Sequence, residues 1–199
     1  TVILATGTVP RKLNVPGEEK FEGKGVHYCA LCDGPLYKDK IVGVVGGSDS
    51  AIKEAMVLSN YAKKVYIIYR GKKFKAEEVN IEEMKKNEKI EALFSTNVKE
   101  IKGEKFVDHV ILDKAYKGNT KLELDGLFID VGRIPNSELA QQLGVRLNEK
   151  NEIMIDKYAK TNIRGVFAAG DVTDIEFKQA ITGVAQGVTA AYSAYNFLS

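Results

Sequence analysis

Short apolar runs broken by polar turns, with helical stretches between them, set the organisation of this chain. Residues 1–6 read Thr-Val-Ile-Leu-Ala-Thr and stop at Gly7, the pattern of a buried strand leading into a turn. Residues 8–25 then read as a connection, with Pro10, Pro16 and charges throughout. The sharpest local signal is Ile41-Val42-Gly43-Val44-Val45, a short apolar strand that runs directly into Gly46-Gly47 and a helix start. Asp49 or Ser50 is the expected N-cap, and a helix over residues 51–60 turns Ile52, Ala55, Met56 and Leu58 toward a core. A second apolar run at 64–69 completes strand, helix and strand within roughly 30 residues, the βαβ unit of a parallel sheet. Residues 76–87 predict another helix, strongly charged on one face.

From residue 90 to residue 130 the period changes. Strand-like runs at 92–94, 98–101, 107–112, 121–124 and 127–131 are separated by polar turns such as Lys117-Gly118-Asn119. They predict an antiparallel insertion that returns to the parallel sheet. Gly132-Arg133-Ile134-Pro135-Asn136 is the expected crossover between domains. Beyond it come a short helix at 137–142, small strands at 153–155 and 166–169, and a last helix from about 178 to 198. The fold class is α/β.

Composition narrows the classes of partner. The 199 residues can fill one domain, or one domain and part of another. With 44% hydrophobic and 28% charged residues, neither disorder nor a fibrous repeat is indicated. The net charge of +2 gives no overall field to hold nucleic acid or an anionic membrane. The longest apolar runs fall far short of the roughly 18 residues a membrane span needs, so a soluble chain with no membrane partner is expected. No basic segment, apolar core and cleavage site mark the N-terminus, which points to a cytoplasmic protein. The chain opens in mid-strand without methionine, so a preceding segment is expected.

The two cysteines stand three apart, as Cys29-Ala30-Leu31-Cys32, too few for the disulfide framework of a small secreted domain. The spacing has two readings, half of a zinc site or a redox dithiol. A structural zinc needs four ligands, and only His27 and His109 remain as histidine candidates. His27 lies two residues from Cys29 and His109 sits in a strand-like run, so the usual second ligand pair is absent. No metal site is assigned. Asp33-Gly34-Pro35 follows as a turn signal.

Gly46-Gly47-Ser48-Asp49-Ser50-Ala51 follows a strand and opens a helix, the context in which a glycine turn binds a dinucleotide. Small residues let backbone N–H groups approach a pyrophosphate, the helix N-terminus favours the anion, and Ala51 allows close packing of helix on strand. A serine, Ser48, stands where the second glycine of the pattern is usual. An acid about 20 residues on would accept from the ribose of NAD, and none is present. The next strand ends instead in Tyr69-Arg70-Gly71-Lys72-Lys73-Phe74-Lys75, cations suited to a 2′-phosphate. NADPH is therefore favoured, with Arg70 and Lys75 as its candidate ligands and Lys72 and Lys73 as a solvated loop.

The run Cys29-Ala-Leu-Cys32-Asp33-Gly34, the turn at Gly46, the basic strand end and Gly165-Val-Phe-Ala-Ala-Gly170-Asp171 together resemble the thioredoxin reductase family in order and spacing. The likeness runs over essentially the whole chain, and the flavoprotein subunit of alkyl hydroperoxide reductase shares these motifs. The resemblance implies a Rossmann-like three-layer NADPH domain at 13–135, carrying the redox cysteines and inserted in a split FAD domain. Residues 1–12 and 136–199 would be what this chain holds of that FAD domain. The family's first G-x-G-x-x-G, which holds FAD, would lie upstream of Thr1, so the FAD domain is incomplete here.

Several roles are implied by the same resemblance. Asp171, after Gly170, would bond the flavin's ribityl chain. Lys178, Gln179 and Ala180 would begin the helix whose N-terminus faces the flavin ring, and Gly132 would border the nucleotide at the crossover. Electrons would pass from NADPH through FAD to the Cys29–Cys32 pair and on to thioredoxin or a glutaredoxin-like protein. Cys32 would face the flavin, Cys29 would attack the substrate, and Asp33 would be the general acid/base. A homodimer and a domain rotation, with hinges near Lys12 and at 133–136, are also implied. Gly71, like Ser48, departs from the family, which often has arginine there. The alternatives are an isolated nucleotide-binding module or the reductase component of a peroxide-reducing system.

Overall fold

Twelve strands and five helices account for the regular structure of residues 1–199 in the computed structural model. In chain order they are β1 (Val2–Leu4), β2 (Thr8–Pro10), β3 (Val26–His27), α1 (Ala30–Asp33), a single 3-10 turn (Gly34–Tyr37), β4 (Ile41–Val45), α2 (Asp49–Ser59), β5 (Lys64–Tyr69), α3 (Glu78–Lys85), β6 (Ile90–Phe94), β7 (Val98–Gly103), β8 (Val107–Tyr116), β9 (Asn119–Glu123), β10 (Gly126–Ile129), β11 (Arg133–Pro135), α4 (Glu138–Gln142), β12 (Val166–Ala168) and α5 (Ala180–Leu198). The chain divides into two units, one of Thr1–Pro10 with Arg133–Ser199 and one of Arg11–Gly132.

The inserted unit is a three-layer α/β body. Its middle layer is a parallel sheet in the order β3-β10-β4-β5-β6. In β4, Val42, Gly43, Val44 and Val45 are all buried, as a central parallel strand covered on both faces requires. Gly43 has no room for a side chain, since a Cβ there would lie 2.9 Å from Leu127 and 3.1 Å from Leu124. On one side α2 lays Ala51, Ile52, Ala55 and Leu58 against Val42, Val44, Val65 and Ile67. On the other, the antiparallel sheet β7-β8-β9 packs Ile101, Val110 and Leu122 onto Ile68, Leu127 and Phe21.

Two expectations are corrected in this unit. The run at 92–94 belongs to β6, which pairs parallel with β5 and so extends the main sheet rather than the antiparallel insertion. A short apolar run gives no strand direction, and only its partner decides it. The N-cap of α2 is Ser48, and Asp49 is its first helical residue. The Asp49 carboxylate accepts instead from the Glu77 N–H at 2.9 Å and from Asn80 Nδ2 at 2.8 Å, tying α2 to the start of α3. Those two bonds, Asn80 first, hold its acid below the usual carboxylate range.

The other unit pairs β1 with β12 in parallel and β2 with β11 antiparallel, so the segment read as pure connection begins with a strand. Leu4, Ala140, Val145, Ile153, Ala168 and Val172 form one core cluster, and α5 adds Ala190 and Ala194 against Phe167 and Ala169. Of residues 1–6 only Leu4 is buried here; Val2 is 46% and Ile3 42% exposed. No strand forms at 153–155. Ile153 makes isolated bridges to Leu147 and Thr173 and is held by its N–H on the Val172 carbonyl at 2.8 Å. No helix is long and apolar enough to cross a membrane.

Candidate redox and dinucleotide sites

Cys29 and Cys32 are joined in a disulfide with their Cα atoms 5.4 Å apart, within the range that an unforced bridge spans. One backbone feature sets this span. Cys29 is extended, at φ −152° and ψ 105°, and acts as N-cap of α1, so that the next three residues coil and return Cys32 to it. The Cys32 N–H points at Cys29 Sγ at 3.2 Å, and the Asp33 N–H donates to the Cys29 carbonyl at 3.1 Å. Ala30 is fully buried and its N–H reaches Glu54 Oε1 of α2 at 3.4 Å, which pins the turn to the helical layer. Cys32 is exposed and Cys29 half-buried.

Behind the disulfide lies a chain of polar groups. Asp33 Oδ2 is 3.1 Å from His27 Nδ1, and His27 Nε2 is 2.7 Å from the Tyr37 hydroxyl. His27 is only 8% exposed, stacked on Phe128 with ring centroids 5.3 Å apart and met edge-on by Tyr37 at 5.4 Å. Burial, then the neighbouring charges of Asp33 and Asp125, push the Tyr37 phenol up to about 12. The sequence presents His27 only as a candidate zinc ligand and does not single out Tyr37. The available signal is a histidine two residues ahead of the first cysteine and a tyrosine five residues after the second.

The glycine turn after β4 fits a bound dinucleotide. Gly46 and Gly47 are buried and admit no Cβ: at Gly46 it would lie 2.7 Å from Ala51 Cβ and against the Asp130 carbonyl, and at Gly47 it would strike the Tyr69 ring. Internal packing thus requires glycine at both positions, and the turn leads into the N-terminus of an eleven-residue helix, where an anion is favoured. Ser48 and Ser50 are exposed at that end. The loop after β5 returns to this turn, because the Lys75 N–H donates to the Gly47 carbonyl at 2.8 Å and Lys75 bridges Ser48. Lys75 and Arg70, 28 and 23 residues beyond Gly47 in the chain, are both exposed on this loop. Tyr69 packs between Gly47 and Gly71 and stacks on Phe74 at 6.0 Å, which accounts for glycine at position 71. Asp130, at the end of β10 beside Gly46, has a buried Oδ2 with no hydrogen-bond partner, a polar atom consistent with a ligand's donor at the same sheet edge. Gly132 has a conformational reason of its own: its φ is +102° and its carbonyl accepts the Arg11 N–H at 2.9 Å.

In the other unit, Gly170 turns the chain at φ +79° after β12. Its N–H donates to Gln186 Oε1 at 2.7 Å, and its carbonyl accepts the Thr173 hydroxyl at 2.8 Å. Lys178 Nζ donates to the carbonyls of Asp171 at 2.8 Å and Thr173 at 2.7 Å and pairs with Glu152 at 3.0 Å. Burial works to raise the Glu152 acid, but bonds from Asn148 and Lys178 outweigh it and hold the group below its ordinary range. Gln179 caps α5, with its N–H on Thr182 Oγ1 at 3.1 Å, and Ala180 is the first helical residue. Asp171 is half-buried. The first turn of this 19-residue helix carries no acidic side chain, which leaves its positive end uncompensated and suited to an electron-rich ligand. Gln186 and Glu152 carry no sequence signal, since only the fold brings them to the Gly170 loop.

Within the inserted unit the structure thus joins a redox-capable disulfide, an acid beside it, and a glycine turn backed by cations. Residues 1–187 match the family model described as pyridine nucleotide-disulphide oxidoreductase. The chain is 41% identical to the thioredoxin reductase of Buchnera aphidicola subsp. Schizaphis graminum, over 100% of its own length and 65% of that relative. It is 37% identical to an alkyl hydroperoxide reductase subunit of Staphylococcus epidermidis, covering 100% of this chain and 39% of that one. Among solved structures, thioredoxin reductase from Streptococcus pyogenes superposes with a TM-score of 0.89 at 36% identity, over 100% of this chain and 65% of that chain. The chain belongs to the pyridine nucleotide-disulphide oxidoreductase family, and it spans less than two thirds of the length of these relatives.

Proposed function

We propose that this chain supplies the dithiol, the NADPH site and part of the FAD site of a thioredoxin-disulfide reductase. The observation that carries the reading is the Cys29–Cys32 disulfide held in one helical turn, next to Asp33 and in the same unit as the glycine turn. Residues 13–135 would be the NADPH domain, with the turn Gly46, Gly47, Ser48, Asp49, Ser50 and Ala51 at the pyrophosphate and Gly132 bordering the nucleotide. Residues 1–12 and 136–199 would belong to the FAD domain, with Gly170, Asp171, Lys178, Gln179 and Ala180 at the flavin. When bound, the two cofactors supply the electron pair that opens a disulfide.

The chain's own residues do the rest. In the dithiol, Asp33 takes a proton from one sulfur, and the thiolate of Cys29 attacks the partner's disulfide and releases one partner sulfur as thiol. Cys32 then attacks Cys29 Sγ, restores the internal disulfide and frees the second partner sulfur, so two electrons and two protons leave with the partner. Thioredoxin or a glutaredoxin-like protein is the proposed partner, and a homodimer the proposed assembly. Relatives named as alkyl hydroperoxide reductase subunits favour a second reading of the substrate, the disulfide of a peroxide-reducing protein.

The test is a thiol count. Anaerobic NADPH added to the flavin-loaded protein is expected to expose two new thiols per chain, which peptide mapping places at Cys29 and Cys32. A flavin that bleaches with no new thiol removes the reading. The nucleotide assignment is tested separately by titration. Arg70→Ala with Lys75→Ala is expected to weaken NADPH binding about tenfold, roughly 1.4 kcal/mol, while NADH affinity stays put. Equal weakening of both nucleotides would withdraw these two residues as 2′-phosphate ligands.

A further inference from the structure

The buried imidazole behind the redox turn is unused by the chemistry above, and its bonding pattern is specific. A neutral histidine has one N–H and one bare nitrogen. The Tyr37 phenol, pushed up to about 12, stays protonated at working pH and donates to Nε2. In the neutral tautomer that accepts from Tyr37, the ring's proton sits on Nδ1, 3.1 Å from Asp33 Oδ2, and is donated to it. All donors run one way, from Tyr37 through His27 to the carboxylate, and Phe128 holds the ring flat beneath. Only Oδ2 is engaged in this chain, which leaves Oδ1 for a sulfur-borne proton. Three elements meet here: β3 brings His27, α1 brings Asp33 and the 3-10 turn brings Tyr37. Further charged groups close by are Asp125, which acts on Tyr37 and pairs with Lys40 at 3.4 Å, and Glu54 of α2, which accepts the Ala30 amide.

We infer that His27, backed by Tyr37, is a positioning residue that fixes the Asp33 carboxylate to manage the proton of the Cys29–Cys32 dithiol. The inference rests on the dithiol reading proposed above. An aspartate at the end of α1, a third exposed, would otherwise rotate freely; the His27 bond to Oδ2 removes that freedom. The exchange it serves is balanced: each of two thiols loses one proton, two sulfur–sulfur bonds form in turn and two break.

The experiment follows thiol–disulfide exchange of the dithiothreitol-reduced protein with a chromogenic aromatic disulfide, across pH, without any nicotinamide nucleotide. Relative to wild type, Asp33→Asn and His27→Leu are each expected to slow exchange near neutral pH about ten- to hundredfold and to flatten the same limb of the profile. His27→Asn, which keeps a donor near the Nδ1 position, is expected to recover part of the rate. The double variant of His27→Leu and Asp33→Asn should be no slower than Asp33→Asn alone, the signature of action through the carboxylate. Losses that multiply in the double variant, or a His27→Leu profile equal to wild type, overturn the inference, as does an Asp33→Asn protein that exchanges normally. A wild-type pair that exchanges no faster than a free thiol instead sinks the dithiol reading, and this inference with it.

Discussion

Cys29→Ser and Cys32→Ser are each expected to lower nicotinamide-driven disulfide reduction in the flavin-loaded protein by roughly a thousandfold or more. A single thiol can form a mixed disulfide with a partner but cannot resolve it, so turnover stops after one event. Folding is not at issue, since the bridge closes only a four-residue loop and its removal frees little chain entropy in the unfolded state. The two variants also separate the sulfurs' roles. With the proposed assignment, Cys32→Ser accumulates a stable mixed disulfide between Cys29 and thioredoxin, visible by non-reducing electrophoresis and mapped by mass spectrometry. Trapping through Cys32 in Cys29→Ser, and not the reverse, would exchange the roles. Unchanged turnover in both variants would remove the pair from the reaction.

Phe128→Ala is expected to cost the inserted unit about 3–5 kcal/mol, measured by urea unfolding. Phe128 is fully buried in β10, between β3 and β4, and its ring supports both His27 at 5.3 Å and Tyr37 at 5.4 Å. Truncation leaves a cavity at the centre of a two-faced sheet, where neighbours on paired strands collapse poorly. Phe128→Leu should restore most of the stability while losing the aromatic contacts. A loss below about 1 kcal/mol for the alanine variant would mean the site relaxes far more than the packing suggests.

The β4, α2 and β5 part of the inserted unit's parallel sheet was legible because its strands are nearly all apolar and its helix begins at a glycine turn. The expected bounds of β4 and β5 are those observed, and α2 begins two residues earlier than expected. The same reasoning failed at residues 92–94, which it assigns to the antiparallel insertion, whereas β6 pairs parallel with β5 in the main sheet. Apolar composition marks a strand, and only its partner decides its direction. The glycine turn and the cysteine spacing could be read locally, since each is a contiguous signature. His27 with Tyr37, and Lys178 with Glu152, could not, since each pair meets through the fold across 10 and 26 residues. Asp49 shows the converse: a residue in the right motif whose side chain is committed to Asn80 and Glu77 of a neighbouring helix.

The two ends of the inserted unit, Arg11 and Gly132, are joined by a backbone hydrogen bond of 2.9 Å. A segment of this size whose ends coincide asks nothing of its host in reach or loop-closure entropy. Positions 10 and 133, which flank the unit, pair in register across β2 and β11, so a turn of about two residues could join them in its absence. The architecture is that of a cassette: 122 residues that can be lost, gained or exchanged among host chains as one block, by changes confined to a single ribbon of two short strands.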